Sequence, residues 1–238
     1  MKDRSSLSTG SLSTGSRNDV LSRRRSDEAS SSTVRVDETI GLAALFEPHA
    51  NVVVLERRAP PSLAAYAARI ARGVAFSFKA TTAFEQPRGL DALDELAAQL
   101  APDDARDVLV EDLAYWVEVV TQLTGARRVG LRLARLDAPM CPGFHVDHVT
   151  VRLVCTYAGD ATEWLDERDV DRSVLAGPSP MPVAAAVRHD AEVHRCSTLD
   201  VLLLKGAAWP GNELRGAIHR SPPRSASPRL LLTLDPLG

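Results

Sequence analysis

Three side chains in the C-terminal half have the types and order that a mononuclear metal site needs. His145 and Asp147 stand two residues apart in Phe-His-Val-Asp-His, and His219 follows later in the chain. Two imidazoles and one carboxylate can bind non-haem Fe(II) and leave coordination positions open. Arg229 lies ten residues after His219, and its planar guanidinium suits bidentate capture of a carboxylate. These residues predict a metal centre with an anion-binding arginine.

The surroundings of the His145 and Asp147 pair carry more weight than the pair itself. Six histidines and 31 carboxylates in 238 residues give roughly 0.8 His-x-Asp/Glu pairs by chance. The pair, however, lies between two strand patterns, 129–136 and 149–157, and His219 ends a third. Residues two apart on an extended segment point to the same side. His145 and Asp147 are therefore expected to share a face and to chelate one ion.

The elements that would position these residues are short strands. After Gly125 the apolar period changes from 3.6 to 2, and turn residues separate the strand patterns. The patterns cover residues 129–136, 149–157, 192–197, 201–204, 214–219 and 229–234. Such a series predicts an antiparallel barrel or jelly roll. A charged, proline-containing insert at 166–190 is expected to cover its mouth.

The N-terminal half divides into a tail and a helical part. Residues 1–35 repeat Ser-Leu-Ser-Thr-Gly and are rich in serine and arginine, which predicts a disordered tail. Residues 36–125 begin with a short buried strand, Val52–Leu55, and then show helical periodicity over 63–70, before a stop at Gly73, and over 90–100 and 103–123. We expect these helices to pack outside the β domain, which occupies 126–238, and we predict an α+β fold class.

Composition narrows the function classes. The net charge is only −3, and without a basic block outside the N-terminus nucleic acid is not an expected partner. Three cysteines without close pairing and no apolar signal segment favour a cytoplasmic location. No run approaches 18 apolar residues, so no membrane span is expected. The expected partner is a small-molecule or protein substrate.

Several motifs together resemble the Fe(II)/2-oxoglutarate-dependent dioxygenase superfamily over about residues 125–236. They are His145-Val146-Asp147, Tyr157 with Gly159 and Thr162-Glu163-Trp164, Leu199–Gly206, His219 and Arg229. The stretch Cys141-Pro-Gly-Phe-His-Val-Asp-His148 is also similar to an uncharacterised bacterial family with a CPxFHVDHV-type motif, which tends to occur near zinc-homeostasis genes.

The resemblance implies a double-stranded β-helix of the jelly-roll or cupin type and an oxygenase of hydroxylase type. It implies Fe(II) bound by His145, Asp147 and His219, and 2-oxoglutarate anchored by Arg229. Many superfamily members carry a hydroxyl residue two positions after the arginine, where this chain has Leu231. Thr233, on the same strand face, and Tyr157 are therefore candidate co-substrate contacts, with Arg152 as a further one.

A second reading is a zinc-binding protein of metal homeostasis without oxygenase activity. Cys141 and His148 flank the first two ligands, and thiolate and imidazole both suit zinc. A packed Cys141 and a His148 pointing away from Asp147 are the structural alternative. The metal content of the purified protein separates the two readings.

Overall fold

A computed structural model describes residues 31–83, 91–175, 182–223 and 227–238. The described chain is a mixed α+β structure, as the sequence predicts. Its strands are β1 (Thr33–Val36), β2 (Val52–Leu55), β3 (Ser77–Ala83), β4 (Arg128–Leu136), β5 (Val151–Ala158), β6 (Glu163–Leu165), β7 (Val193–Arg195), β8 (Val201–Lys205), β9 (His219–Arg220) and β10 (Arg229–Leu237). Its α-helices are α1 (Pro61–Arg72), α2 (Asp91–Gln99) and α3 (Asp104–Thr124), and a 3-10 helix spans Thr39–Phe46.

The helices begin and end at residues that suit those positions. Helix α3 begins after Asp103, whose carboxylate accepts a hydrogen bond from the backbone N–H of Ala105, and it ends at Gly125 in the left-handed conformation with φ 69°. An aspartate cap and a terminal glycine are favoured there. Helix α1 starts with Pro61 in its first turn, where a missing N–H costs nothing. The predicted helical segments are confirmed in the described residues.

The largest element is a seven-stranded sheet in the order β1-β2-β8-β5-β10-β4-β3. Strand β1 runs parallel to β2, and the other neighbours are antiparallel. One side of the sheet packs on the helices through residues such as Leu230, Leu232 and Leu234 of β10. We call this the helix-facing side. The opposite side, which presents Leu231 of the same strand, is called the site-facing side.

A three-stranded sheet, β7-β6-β9, lies over part of the site-facing side. A buried cluster that includes Trp164 from β6, Val154 from β5 and Leu231 from β10 joins the two sheets. Two stacked sheets bury apolar side chains that neither could bury alone. The described pairings define two sheets, and the double-stranded β-helix itself stays a prediction.

The structure changes several sequence-based boundaries. Strand β1, Thr33–Val36, begins within the predicted tail of residues 1–35, because it pairs with Val52–Leu55 and Asp166 accepts hydrogen bonds from Ser32. Residues 1–30 lie outside the described ranges. The mainly helical part also contributes β3, at the far edge of the large sheet. The strand predicted over 214–219 is reduced to β9.

The insert at 166–190 packs behind the small sheet in the parts that the structure describes. Val170 and Ala186 form a buried cluster with Leu165 and Ile218, against which Phe144 and Val146 also pack. Residues 176–181 lie outside the described ranges. The insert therefore supports the segment that carries His145 and Asp147 from behind. Its predicted role as a cover over the mouth of the barrel stays a prediction.

No described helix combines the length and the apolar character needed to cross a lipid bilayer.

Candidate metal centre

His145, Asp147 and His219 meet at one place on the site-facing side. One ligand atom from each lies within 4.8 Å of the others. His219 Nε2 is 3.2 Å from Asp147 Oδ2, and His145 Nε2 is 3.7 Å from Asp147 Oδ1. Backbone pairing produces this convergence, because His145 and His219 exchange two N–H to O bonds of 3.0 Å. The three donors can therefore reach one metal ion.

The backbone also orients the two imidazoles. Nδ1 of His145 lies 3.0 Å from the carbonyl oxygen of Gly143, and Nδ1 of His219 lies 3.0 Å from that of Ala217. A carbonyl can only accept, so each Nδ1 carries the proton and each Nε2 keeps its lone pair for a metal. Burial and the neighbouring His219 lower the pKa of His145. The neutral, ligating form of His145 therefore persists below its ordinary pKa.

Asp147 is held by an arginine that is itself anchored. Arg152 donates from Nη1 to Asp147 Oδ2 at 2.6 Å, and from Nε and Nη2 to the two oxygens of Asp235 at 2.7 and 2.8 Å. Burial alone would raise the pKa of Asp147, but its neighbours, His219 first and then the charged Arg152, lower it. The carboxylate is thus ionised and fixed in direction.

Two glycines allow the ligand segment to approach the chain after β8. A Cβ at Gly206 would lie 2.0 Å from the carbonyl oxygen of Val149, and one at Gly216 would lie 2.3 Å from Cγ1 of Val146. The N–H of Ala207 donates to the carbonyl of Asp147 at 2.9 Å. Larger residues at 206 or 216 would displace the segment that carries two of the three ligands.

Arg229 is a buried cation that forms no ion pair with a carboxylate of the described residues. It is 2% exposed, and its Nη2 donates weakly to the hydroxyls of Thr156 and Thr162 at 3.3 and 3.4 Å. Its Nε and Nη1 have no hydrogen-bond partner, and no ion pair joins it to a described residue. Burial lowers the pKa of Arg229, yet a guanidinium stays charged in proteins. Buried charges are normally paired, and within the part of the chain that the structure describes Arg229 has only the more distant charge of Asp160 and Glu163 to balance it.

The turn after β5 gives Arg229 its place. Gly159 has φ 82°, and a Cβ there would lie 2.9 Å from Cγ of Arg229. Glu163, the nearby buried acid, accepts from Arg195 and from Arg220 Nε, the latter at 2.7 Å. Glu163 is therefore occupied and leaves Arg229 unpaired.

A cavity of about 70 Å³ joins the metal ligands to their surroundings. Its walls include Cys141, Thr162, Arg220, Leu231 and Thr233 in addition to His145, Asp147 and His219. Thr162 also contacts Arg229, so the cavity leads toward the buried guanidinium. The two arginines of its wall, Arg152 and Arg220, are paired with carboxylates.

A model of one protein family matches residues 37–235, most of the chain. The chain belongs to the DUF1826 family. That family carries the description "Protein of unknown function (DUF1826)". No curated protein matches the chain.

Solved structures similar to this DUF1826 chain are dioxygenases and related oxygenases. A rice dioxygenase for auxin oxidation has 15% identity and a TM-score of 0.49 over 87% of this chain and 82% of its own. The Fe(II)/(alpha)ketoglutarate-dependent dioxygenase TqaL has 12% identity and a TM-score of 0.47 over 83% and 86%. A Pseudomonas putida prolyl-4-hydroxylase has 13% identity and a TM-score of 0.40 over 84% and 100%.

The structure places the remaining candidate residues in different surroundings. Thr233 lines the metal cavity. Tyr157 does not reach it, because its side chain lies on the helix-facing side and its hydroxyl donates to Asp112 at 2.5 Å. Arg152 is engaged by two aspartates and holds Asp147. Cys141 is exposed at the cavity wall, and His148 is exposed. Neither belongs to the converging group.

Sequence reasoning missed Thr156 and Asp235, and it named Thr162 within a motif without giving it a contact. Thr156 and Thr162 contact Arg229, and Asp235 anchors Arg152. Thr156 directly precedes Tyr157, and the alternation along a strand places the two on opposite sides of the sheet. Thr156 could have been chosen over Tyr157 only if the side of the sheet on which each residue of β5 lies had been known.

Proposed function

We propose that this protein is an Fe(II)- and 2-oxoglutarate-dependent oxygenase built on a double-stranded β-helix core. The observation that carries the proposal is the combination of a converging His145, Asp147 and His219 group with a buried arginine that has no anion. Two imidazole nitrogens and one carboxylate oxygen fit Fe(II) and leave positions open. The unpaired Arg229 guanidinium fits the distal carboxylate of 2-oxoglutarate.

When bound, Fe(II) and 2-oxoglutarate would supply oxidation chemistry in which one O₂ is consumed, 2-oxoglutarate is oxidised to succinate and CO₂, and a substrate is oxidised. The chain's own residues provide position and shielding. The carbonyls of Gly143 and Ala217 keep the Nε2 atoms free of protons. Arg152 fixes the direction of Asp147.

Arg229, Thr156 and Thr162 would hold the co-substrate. An incoming carboxylate would accept from Nη1 of Arg229, which has no partner among the described residues, or from Nε on the other edge of the guanidinium. Such charge-assisted contacts are stronger than neutral hydrogen bonds. Thr156 and Thr162 already contact Nη2 and would keep the guanidinium plane in place. The apolar cluster around Trp164 and Leu231 limits access of water from between the sheets.

The first test is anaerobic metal titration of the metal-free protein. His145→Ala, Asp147→Ala and His219→Ala should each abolish tight Fe(II) or Co(II) binding, since each removes one of three donors. His148→Ala is the matched control, because His148 is exposed directly beside Asp147, and it should bind as the unchanged protein does. Equal loss in His148→Ala, or none in the ligand variants, contradicts the assignment.

The second test is turnover of 2-oxoglutarate. The iron-loaded protein should release succinate without added substrate at a slow rate, and Arg229→Gln should raise the KM for 2-oxoglutarate about tenfold or more, the effect of losing a charge-assisted hydrogen bond. Arg58→Gln, which removes an exposed arginine before α1, is the control. Stoichiometric zinc in the purified protein, together with no succinate release after iron loading, would favour the zinc-binding alternative.

A further inference from the structure

The site-facing side of the large sheet continues beyond the metal cavity onto β4 and β3. Thr233 of β10, a cavity wall, is paired with Arg132 of β4, and Arg132 is paired with Lys79 of β3. Directly paired residues project from the same side of a sheet. Since neighbouring strands are about 4.8 Å apart, the two cations stand at successive steps away from the cavity.

This row is open to solvent. Ser77, Lys79 and Thr81 of β3 are all exposed, while the alternate residues Phe78 and Thr82 are buried. The pairings of the small sheet involve β6, β7 and β9. Its apolar contacts reach β2, β5, β8 and β10 of the large sheet and touch β4 only at Leu136, its last residue, among the residues that the structure describes. Lys79 and Thr81 are therefore exposed, and the half-buried Arg132 lies between Lys79 and the cavity wall at Thr233.

The arginines that line the cavity are already engaged. Arg152 is paired with Asp147 and Asp235, and Arg220 with Glu163. Asp235, the acidic neighbour on this side, has both oxygens occupied by Arg152. A ligand arriving at the cavity would meet little free positive charge from these residues.

Arg132 and Lys79 differ from those arginines. Neither has an ion pair or a side-chain hydrogen bond with a described residue, and Nε of Arg132 is enclosed without an acceptor. An enclosed polar atom without a partner calls for an explanation. Arg132 can offer the planar N–H donors of its guanidinium to an oxyanion, and the neighbouring exposed Lys79 can add a flexible positive charge to the same anion.

We propose that Arg132 and Lys79 bind an oxyanion group of the primary substrate, a carboxylate or a phosphate, on the surface beside the metal cavity. This inference rests on the proposed oxygenase function, in which Arg229 holds the co-substrate and a separate primary substrate is oxidised. The substrate is then a small acid. Its charged group lies over β4 and β3, about 5 to 10 Å from Thr233, and its reacting end extends into the cavity.

Binding can be tested on the metal-free protein by following the Nε–H signal of Arg132 in a ¹⁵N-labelled sample. The probes are inorganic phosphate and, separately, acetate, each compared with chloride at equal ionic strength. Arg132→Gln identifies the signal by its loss. A saturable shift with phosphate or acetate and none with chloride is expected, and the stronger of the two indicates which oxyanion the site accepts.

Two variants test whether Lys79 contributes to anion binding. Lys79→Gln should weaken binding of the effective probe about fivefold or more, the loss of a close charge in a partly exposed setting. Arg58→Gln should leave it unchanged. No shift of the Arg132 signal with either probe, or a shift that follows ionic strength alone, overturns the proposal. Equal weakening in Arg58→Gln also overturns it.

The outcome is separable from that of the proposed function, because no iron or 2-oxoglutarate is present. Phosphate or acetate binding at Arg132 with no Fe(II) binding at His145 would leave an anion site without an oxygenase. Fe(II) and 2-oxoglutarate binding with a silent Arg132 signal would leave an oxygenase whose substrate is not held there. Arg229→Gln is a further control, since it removes the co-substrate anchor and should not alter the Arg132 shift.

Discussion

Two largely buried arginines lie on opposite sides of the large sheet, and their surroundings differ. Arg57, toward the helices, binds both oxygens of Asp112 at 2.5 and 2.9 Å and donates from Nε to the carbonyl of Leu199 at 2.6 Å. Arg229, on the site-facing side, has no carboxylate among the described residues and two donors without acceptors. The first arginine is satisfied by the fold. The second is left for a ligand.

The pKa values of the two arginines are shifted in opposite directions. Asp112 raises the pKa of Arg57 although burial opposes it, whereas burial lowers the pKa of Arg229. Tyr157 and Trp116 also donate to Asp112, so the carboxylate has partners on several sides. A fully connected polar network stabilises a fold, while an incomplete one costs stability. The complete network around Asp112 therefore contributes to the stability of the fold, whereas the incomplete surroundings of Arg229 leave donors that a ligand can use.

The largest expected change in stability is on the helix-facing side, where the polar groups around Asp112 are all hydrogen-bonded. Asp112→Ala removes the acceptor of Arg57, Tyr157 and Trp116 at once and should lower the free energy of unfolding by about 3 kcal/mol. Urea unfolding measures it. Glu111→Ala, one residue earlier on the exposed side of α3, should change stability by less than about 0.5 kcal/mol. Similar losses in both variants would show that the network contributes nothing special.

The next effect is on the metal side. Arg152→Gln removes the cation that orients Asp147 and should weaken Co(II) or Fe(II) binding about 10- to 100-fold, as loss of a ligand's supporting partner usually does. Metal titration measures the affinity, and urea unfolding of the metal-free variant reports any general damage. An unchanged affinity would mean that Asp147 is held well enough by its backbone bond to Ala207.

Local sequence pattern predicts the elements better than it predicts which side they face. The segment 103–123 is predicted as a helix because its cap and apolar spacing are local, and α3 spans Asp104–Thr124. Strand β1 follows a serine run and depends on distant pairing with β2. Strand β3 depends likewise on β4. Sequence pattern cannot supply such partners, because propensity for strands depends on context.

The candidate site shows the same limit. His145 and Asp147 could be assigned to one face from their spacing alone. Their meeting with His219 required the antiparallel bridge between 145 and 219. Tyr157 was expected near the co-substrate, while the structure presents Thr156 to Arg229, since a step of one residue along a strand reverses the side. The sequence could not show which of the adjacent residues Thr156 and Tyr157 lies near Arg229, because that depends on which side of the sheet each occupies.

A smaller effect separates the two arginines directly. Arg229→Met removes an unpaired buried charge and should raise the unfolding free energy of the ligand-free protein by about 1 kcal/mol. Arg57→Met, the matched variant, should lower it, because Asp112 would lose its ion pair. Urea unfolding without added anions measures both. If the Arg229 variant loses as much stability as the Arg57 variant, the site-facing arginine is structural.

The smallest expected effect concerns Tyr157 and tests the division between the two sides. Tyr157→Phe removes one donor to Asp112 and should cost about 1 kcal/mol or less, the net value of one hydrogen bond, because Arg57 and Trp116 still satisfy the carboxylate. The affinities for Co(II) and 2-oxoglutarate should not change, since the ring lies on the helix-facing side. Calorimetric titration with each ligand and urea unfolding measure the two halves of this expectation. A loss of 2-oxoglutarate affinity with little loss of stability would place the phenol in the co-substrate site and end the separation of the two sides.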